Sequence, residues 1–106
     1  MGTTATIAMK QDDNTYLAIT CNYDGYEDGV GRTLKTDYND PEKIKELIKL
    51  GNLSSICDKV IAYTRDHKEP WHYNKPQKFN TMFKAIKFSR NTDHGYIWDG
   101  TEWQSV

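Results

Sequence analysis

The sequence predicts an α+β domain, a mainly antiparallel sheet of about five strands with two to three helices packed on one face, in the order ββααβαββ. Three observations carry that expectation. Alternating apolar residues run through two stretches near the N-terminus, a capped amphipathic stretch runs from Asp40 to Gly51, and an Asp-Gly turn separates aromatic strand formers near the C-terminus.

From Thr4 to Lys10, Ala5, Ile7 and Met9 alternate with other residues, and from Thr15 to Asn22 so do Leu17, Ile19 and Cys21. Period two marks a half-buried strand. The break Gln11-Asp12-Asp13-Asn14 supplies residues that tolerate a left-handed backbone, so the pair reads as an antiparallel hairpin. A first helix starts near Gly29 or Val30, since Val30, Leu34 and Tyr38 recur every four residues. A second is signalled by Asp40 as N-cap, Pro41 in the first turn and Glu42 at the positive end of the dipole. Ile44, Leu47 and Ile48 form its apolar stripe, and Gly51 stops it.

Ile56, Val60, Ile61, Ala62 and Tyr63 suggest a central strand between Ser54 and Asp66. Asp66 to Lys78, with Pro70 and Pro76, reads as an irregular loop. Asn80 or Thr81 caps a third helix carrying Phe79, Met82, Phe83 and Ile86. Asp99-Gly100, between Trp98 and Trp103, predicts a tight hairpin with both turn residues at positive φ.

Residues 1–106 are expected to form a single domain, since 106 residues suffice for one hydrophobic core. An aromatic share of 12% and a net charge of −1, from 14 basic and 15 acidic residues, argue against disorder. The same balance disfavours nucleic acid as a partner, because duplex binders carry a basic surplus. Two cysteines are too few for a disulfide scaffold and read as buried thiols. The first ten residues show no charged region leading into a long apolar stretch, so no signal peptide is expected, and no apolar run is long enough to span a membrane. A cytoplasmic protein is the resulting expectation.

Residue spacing excludes most candidate sites. Aligned as a calcium loop from Asp24, the chain places Tyr26 at the third position and Lys35 at the twelfth, where a bidentate Glu belongs, so the motif fails. Gly29, Val30 and Gly31 before a helix offer an anion-binding alternative, but Leu34 replaces the third glycine of the dinucleotide pattern. His67, His72 and His94 lack metal-ligand spacing, so neither metal nor cofactor is expected. Cysteine, serine, histidine and aspartate occur in no recognisable catalytic arrangement, and an enzyme is not expected. Lys75, Lys78, Lys84, Lys87 and Arg90 interleave with Phe79, Phe83 and Phe88. That pattern reads as an amphipathic helix with a phenylalanine core face and a solvated lysine face. The stretch Arg65 to Trp71 combines Trp with both charge signs, a composition suited to a binding hot spot. Its structural alternative has Trp71 as a lid on the core and Arg65 paired with an acidic neighbour.

One larger pattern runs nearly the whole chain. It comprises Thr6-Ile7-Ala8, Cys21, Tyr23-Asp24-Gly25-Tyr26, Val30-Gly31, Leu34, Tyr38 and Gly51-Asn52-Leu53-Ser54-Ser55. It continues with Ala62-Tyr63-Thr64-Arg65-Asp66, Glu69-Pro70-Trp71, Lys75-Pro76 and Asp99-Gly100. In joint order these resemble a family of small, mostly uncharacterised bacteriophage and prophage proteins. Asn22, Tyr23 and Glu27 stand where that family commonly has His, Trp and Pro. The resemblance implies a phage accessory protein made in the host bacterial cytoplasm. By analogy with other small phage proteins it implies one that binds and blocks a host protein, an anti-defence (anti-CRISPR-like) inhibitor being one such role. The partner-binding residues expected are Tyr23, Asp24, Tyr26, Arg65 and Trp71. The alternative is a sequestering protein for a small ligand or nucleotide, with Gly29, Val30 and Gly31 as anion site. Homodimerisation through a hairpin edge is compatible with either reading.

Overall fold

In the computed structural model, which describes residues 2–106, the first hairpin forms as its alternation dictates. Strand β1 (Ala5–Lys10) pairs antiparallel with β2 (Tyr16–Cys21), in register from Ala5↔Cys21 to Lys10↔Tyr16. Asn14 takes the left-handed conformation at φ 67° and donates its amide to Gln11 O at 3.0 Å.

The sheet departs from the antiparallel expectation. Among the described residues it has seven strands and is mixed, in the order β4 (Ile61–Ala62), β3 (Leu53–Ser55), β2, β1, β6 (His94–Trp98), β7 (Trp103–Ser105), with β5 (Gln77–Phe79) also pairing to β2. β6 (His94–Trp98) lies parallel to β1, and β3 (Leu53–Ser55) meets β2 in parallel at Cys21↔Leu53. The second pairing follows from a helical crossover. A π-helical turn (Glu27–Gly31) runs into α1 (Arg32–Asp37), and α2 (Pro41–Lys49) follows, returning the chain to the same end of the sheet. Alternation within a strand carries no information on the direction of its neighbour, so the parallel pairs leave no local signal.

The helices also occupy both faces. Ala5, Ile7, Met9, Ile19, Cys21, Tyr96 and Trp98 turn to one face, where Val30, Leu34, Ile44, Leu47 and Ile48 cover them. Each of those large aliphatic side chains contributes about 2 kcal/mol by burial. Ala8, Tyr16, Ala18 and Ile97 turn to the other face and meet Ala85 of α5 (Met82–Ser89). The signature of that second contact is smallness. Ala8, Ala18 and Ala85 let the helix approach, and a Cβ on Gly95 would lie 2.7 Å from Ser89 Cβ. Alanines between larger apolar residues look like the solvent side of a strand, which is why a one-faced arrangement was expected.

The caps of α2 and α5 behave as read. Asp40 accepts the Glu42 amide at 3.0 Å, Thr81 accepts the Lys84 amide at 3.2 Å, and Gly51 ends α2 at φ 80°. Between them the expectations fail. The expected central strand is two short strands at the sheet edge, β3 and β4 (Ile61–Ala62), followed by α3 (Tyr63–His67). The expected irregular loop holds α4 (Trp71–Asn74) and β5 (Gln77–Phe79). Phe79 therefore belongs to a strand, and Phe83, expected in the core, is 71% exposed. The closing hairpin joins β6 to β7 (Trp103–Ser105) through Asp99 to Glu102, with Gly100 alone at positive φ. Asp99 Oδ1 accepts the amides of Thr101 and Glu102, replacing the two-residue turn that Asp-Gly suggests.

Candidate functional site

The Tyr23–Tyr26 turn leaves the end of β2 with its backbone held on several sides. Asn22 and Tyr23 donate their amides to Leu53 O and Ser54 O at 3.1 and 3.0 Å, continuing the alignment with β3. Asp24 then adopts φ 60°, a left-handed conformation that Asp tolerates better than most residues. That reversal drives Gly25 against β1, where its amide reaches Thr3 O at 2.9 Å. A Cβ at Gly25 would lie 2.6 Å from the Thr4 carbonyl, so only glycine fits. The buried Tyr96 hydroxyl donates to Gly25 O at 2.7 Å from beneath. Burial, with the Glu27 carboxylate nearby, pushes the Tyr96 phenol up to about 12, so it keeps that proton. The Cys21 thiol approaches Tyr23 O and Ser54 O at 3.6 and 3.7 Å. It is fully buried and pushed up to about 11, which leaves it protonated and inert as a nucleophile.

On this fixed backbone Tyr23 and Tyr26 face outward, 50% and 44% exposed. The Tyr26 hydroxyl donates to Asp24 Oδ1 at 3.3 Å, and the Asp24 charge raises its pKa. Glu27 and Asp28 continue the acidic rim. Lys35 lies 3.2 Å from Glu27, and Arg32 lies 3.9 Å from Asp28.

Gly29, Val30 and Gly31 do not form an anion cradle. All three are buried, and their amides donate to Tyr26 O, Asp24 O and Tyr26 O at 2.9, 2.8 and 3.3 Å. A Cβ on Gly31 would sit 2.7 Å from Glu27 Oε2, so a carboxylate already stands where an anion would approach. The glycines serve packing: a Cβ on Gly29 would lie 2.2 Å from Asp24 O.

Arg65 and Trp71 form a different locality. The Arg65 guanidinium grips Asp66 at two points, Nε to Oδ1 at 3.0 Å and NH2 to Oδ2 at 2.9 Å, and also donates to Val60 O at 2.7 Å. Asp66 in turn accepts the Ala62 amide at 2.8 Å. The Arg65 hydrogen bonds, with that amide, hold its carboxyl at about 2. Arg65 also lines a concavity of about 250 Å³ with Tyr38, Lys43, Leu47, Leu50 and Val60. Trp71 rests on Gly51, its Cζ3 2.9 Å from where a Cβ would be, and stays 45% exposed. Both residues thus follow the structural alternative in part. Among the described residues, no hydrogen bond or ion pair joins Tyr23, Asp24 or Tyr26 to Arg65 or Trp71. Asn22, beside Tyr23, donates from Nδ2 to the Tyr63 hydroxyl at 2.6 Å.

Three further residues fall outside the expected sites. Asn52 ties three elements together, accepting the Thr20 and Tyr63 amides at 3.1 and 3.2 Å and donating its own to Asn74 O at 2.8 Å. Tyr73 and Phe83 are the most exposed large rings, at 77% and 71%. Among the described residues, no group of three or more His, Cys, Asp or Glu side chains is placed to hold a metal ion, and no helix is long and apolar enough to cross a membrane. No family model, curated protein or solved structure matches the chain.

Proposed function

We propose that this domain is a phage-encoded accessory protein that works by docking on a host bacterial protein and blocking it, with the Tyr23–Tyr26 turn as its contact surface. One observation supports this reading most: two half-exposed tyrosines stand on a backbone wedged against β1 and tied to β3. Tyrosine offers wide amphipathic contact area with few torsions to freeze, and a pre-ordered loop lowers the entropic cost of association. Asp24 beside the rings, with Glu27 and Asp28 partly offset by Lys35 and Arg32, favours a partner patch that is basic. The phage origin and the host cytoplasm as site of action rest on the motif order. Blocking a defence effector, of the CRISPR type for example, is one form this activity would take.

Trp71 supplies a second, separate contact, and Arg65 acts mainly to hold the Val60 carbonyl and Asp66, whose carboxylate accepts the Ala62 amide of β4. Affinity capture from bacterial lysate tests the assignment. The Tyr23→Ala/Tyr26→Ala double variant loses the host protein that the wild-type chain retains, whereas Arg65→Ala affects capture only as far as it affects folding. Equal recovery of the same protein by the double variant overturns the assignment.

A further inference from the structure

Between Glu69 and Asp93 the chain has no acidic residue and five basic ones, Lys75, Lys78, Lys84, Lys87 and Arg90. In α5 and the turn that follows it, Phe83, Lys84, Lys87, Arg90 and Asn91 fall within an arc of about 120° at 100° per residue. All five are exposed, while Ala85 and Ser89 on the opposite arc are buried against the sheet. At the margin of the stripe, Phe79 and Phe88 pair with ring centroids 5.0 Å apart. These two rings, with Lys84, Lys87 and Asn91, line a concavity of about 440 Å³. Of the five basic residues, Lys78 has an acidic neighbour, Asp13 at 3.8 Å.

We propose that this face of α5 is a docking surface for a single-stranded polynucleotide. A row of cations would track the phosphates, and an aromatic ring open to solvent would stack on a base. The charge selects a polyanion, and the rings select one whose base faces are accessible. A duplex satisfies only the first condition, because its bases are already stacked on each other. Phe83 decides between the readings. A helix that merely packs would turn it inward, yet it stands 71% exposed on the same arc as Lys84, Lys87 and Arg90. The chain's net charge of −1 does not oppose this, since the surface potential near a phosphate is set by groups within about 10 Å. The turn at Tyr23–Tyr26 lies against the other face of the sheet, so the two surfaces are tested independently.

Fluorescence anisotropy of the full chain with a labelled oligothymidylate of about 20 nucleotides provides the test. At low salt the wild-type chain binds, and Phe83→Ala weakens binding about ten-fold while Phe83→Tyr restores it. Lys84→Gln/Lys87→Gln lowers the slope of log affinity against log salt by about 1.4, the share of two phosphates. Tyr23→Ala/Tyr26→Ala binds like wild type. Because Phe83, Lys84 and Lys87 are solvent-facing, the thermal midpoints of these variants stay close to wild type, and circular dichroism checks this. Absence of binding at low salt overturns the proposal. So does binding unchanged by Phe83→Ala, which would mark simple attraction to a polyanion, or equal affinity for a blunt duplex of the same length.

Discussion

The Tyr23–Asp28 turn and the Phe83–Arg90 stripe both present aromatic rings to solvent, yet they are built in opposite ways. The turn is acidic and irregular, and the sheet face carrying the larger core supports it through Gly25 and Tyr96. The stripe is basic and regular, and it sits on a helix held to the other face by small residues. In the turn, backbone hydrogen bonds and steric wedging hold the backbone under the rings; on the helix, periodicity sets Phe83 among the cations, and Phe79 of β5 pairs with Phe88 at the margin. The near-zero net charge is an average over these two surfaces and describes neither. Bulk composition therefore disfavours a nucleic-acid partner that the local arrangement supports.

The sharpest way to break this contrast is to disturb the wedge. Gly25→Ala forces a Cβ into the Thr4 backbone, which has no flexible side chain to yield. It is expected to cost about 3 kcal/mol in denaturant unfolding, the upper end for an overpacked site. Tyr96→Phe leaves the buried Gly25 carbonyl without its donor and costs about 1.5 kcal/mol. Because the Tyr96 phenol is raised to about 12, ionising it disfavours the folded state. Stability falls as pH rises from about 10 towards 12, and the variant flattens that limb.

On the helical side, Thr81→Ala removes the α5 cap and costs about 1 kcal/mol. The turn's tyrosines and Phe83 are different. Replacing them with alanine changes stability by less than about 0.5 kcal/mol, because they are surface groups.

The Arg65–Asp66 pair separates architecture from recognition within the loop region. Asp66 titrates at about 2 in the folded state, below its ordinary value near 3.9. Its stabilisation is therefore complete above that ordinary value and fades as pH falls towards 2. Asp66→Asn should flatten this acid limb in a pH series of thermal midpoints, while host-protein capture at neutral pH persists. An unchanged acid limb would show that the pair contributes nothing to folding.

Local chemistry made part of this fold legible. The first hairpin and α2 with its Asp40 cap follow from periodicity and capping, which depend on neighbours in sequence; Val30, Leu34 and Tyr38 are buried as that period implies, but across a π-helical turn, α1 and its C-cap and not on one helix starting at Gly29 or Val30. The parallel partners of β1 and β2 do not, since they are set by crossovers tens of residues long. The second covered face was hidden because its evidence is the smallness of Ala8, Ala18 and Ala85. Phe83 was assigned to the core on residue type, although its position beside Lys84 and Lys87 places it on the outer arc. At the candidate site, Tyr23, Asp24 and Tyr26 were legible as a turn. What was not legible was its depth of anchoring, which comes from Thr3, Thr4 and Tyr96, distant in sequence.

Hydrogen exchange at the turn's amides tests the central claim most directly, that the exposed tyrosines stand on a backbone as ordered as the sheet. The Gly25 and Val30 amides, bonded to Thr3 O and Asp24 O, are expected to exchange as slowly as those of β1. Exchange at the rate of the exposed Asp12 and Asp13 amides would show a mobile turn and contradict the account.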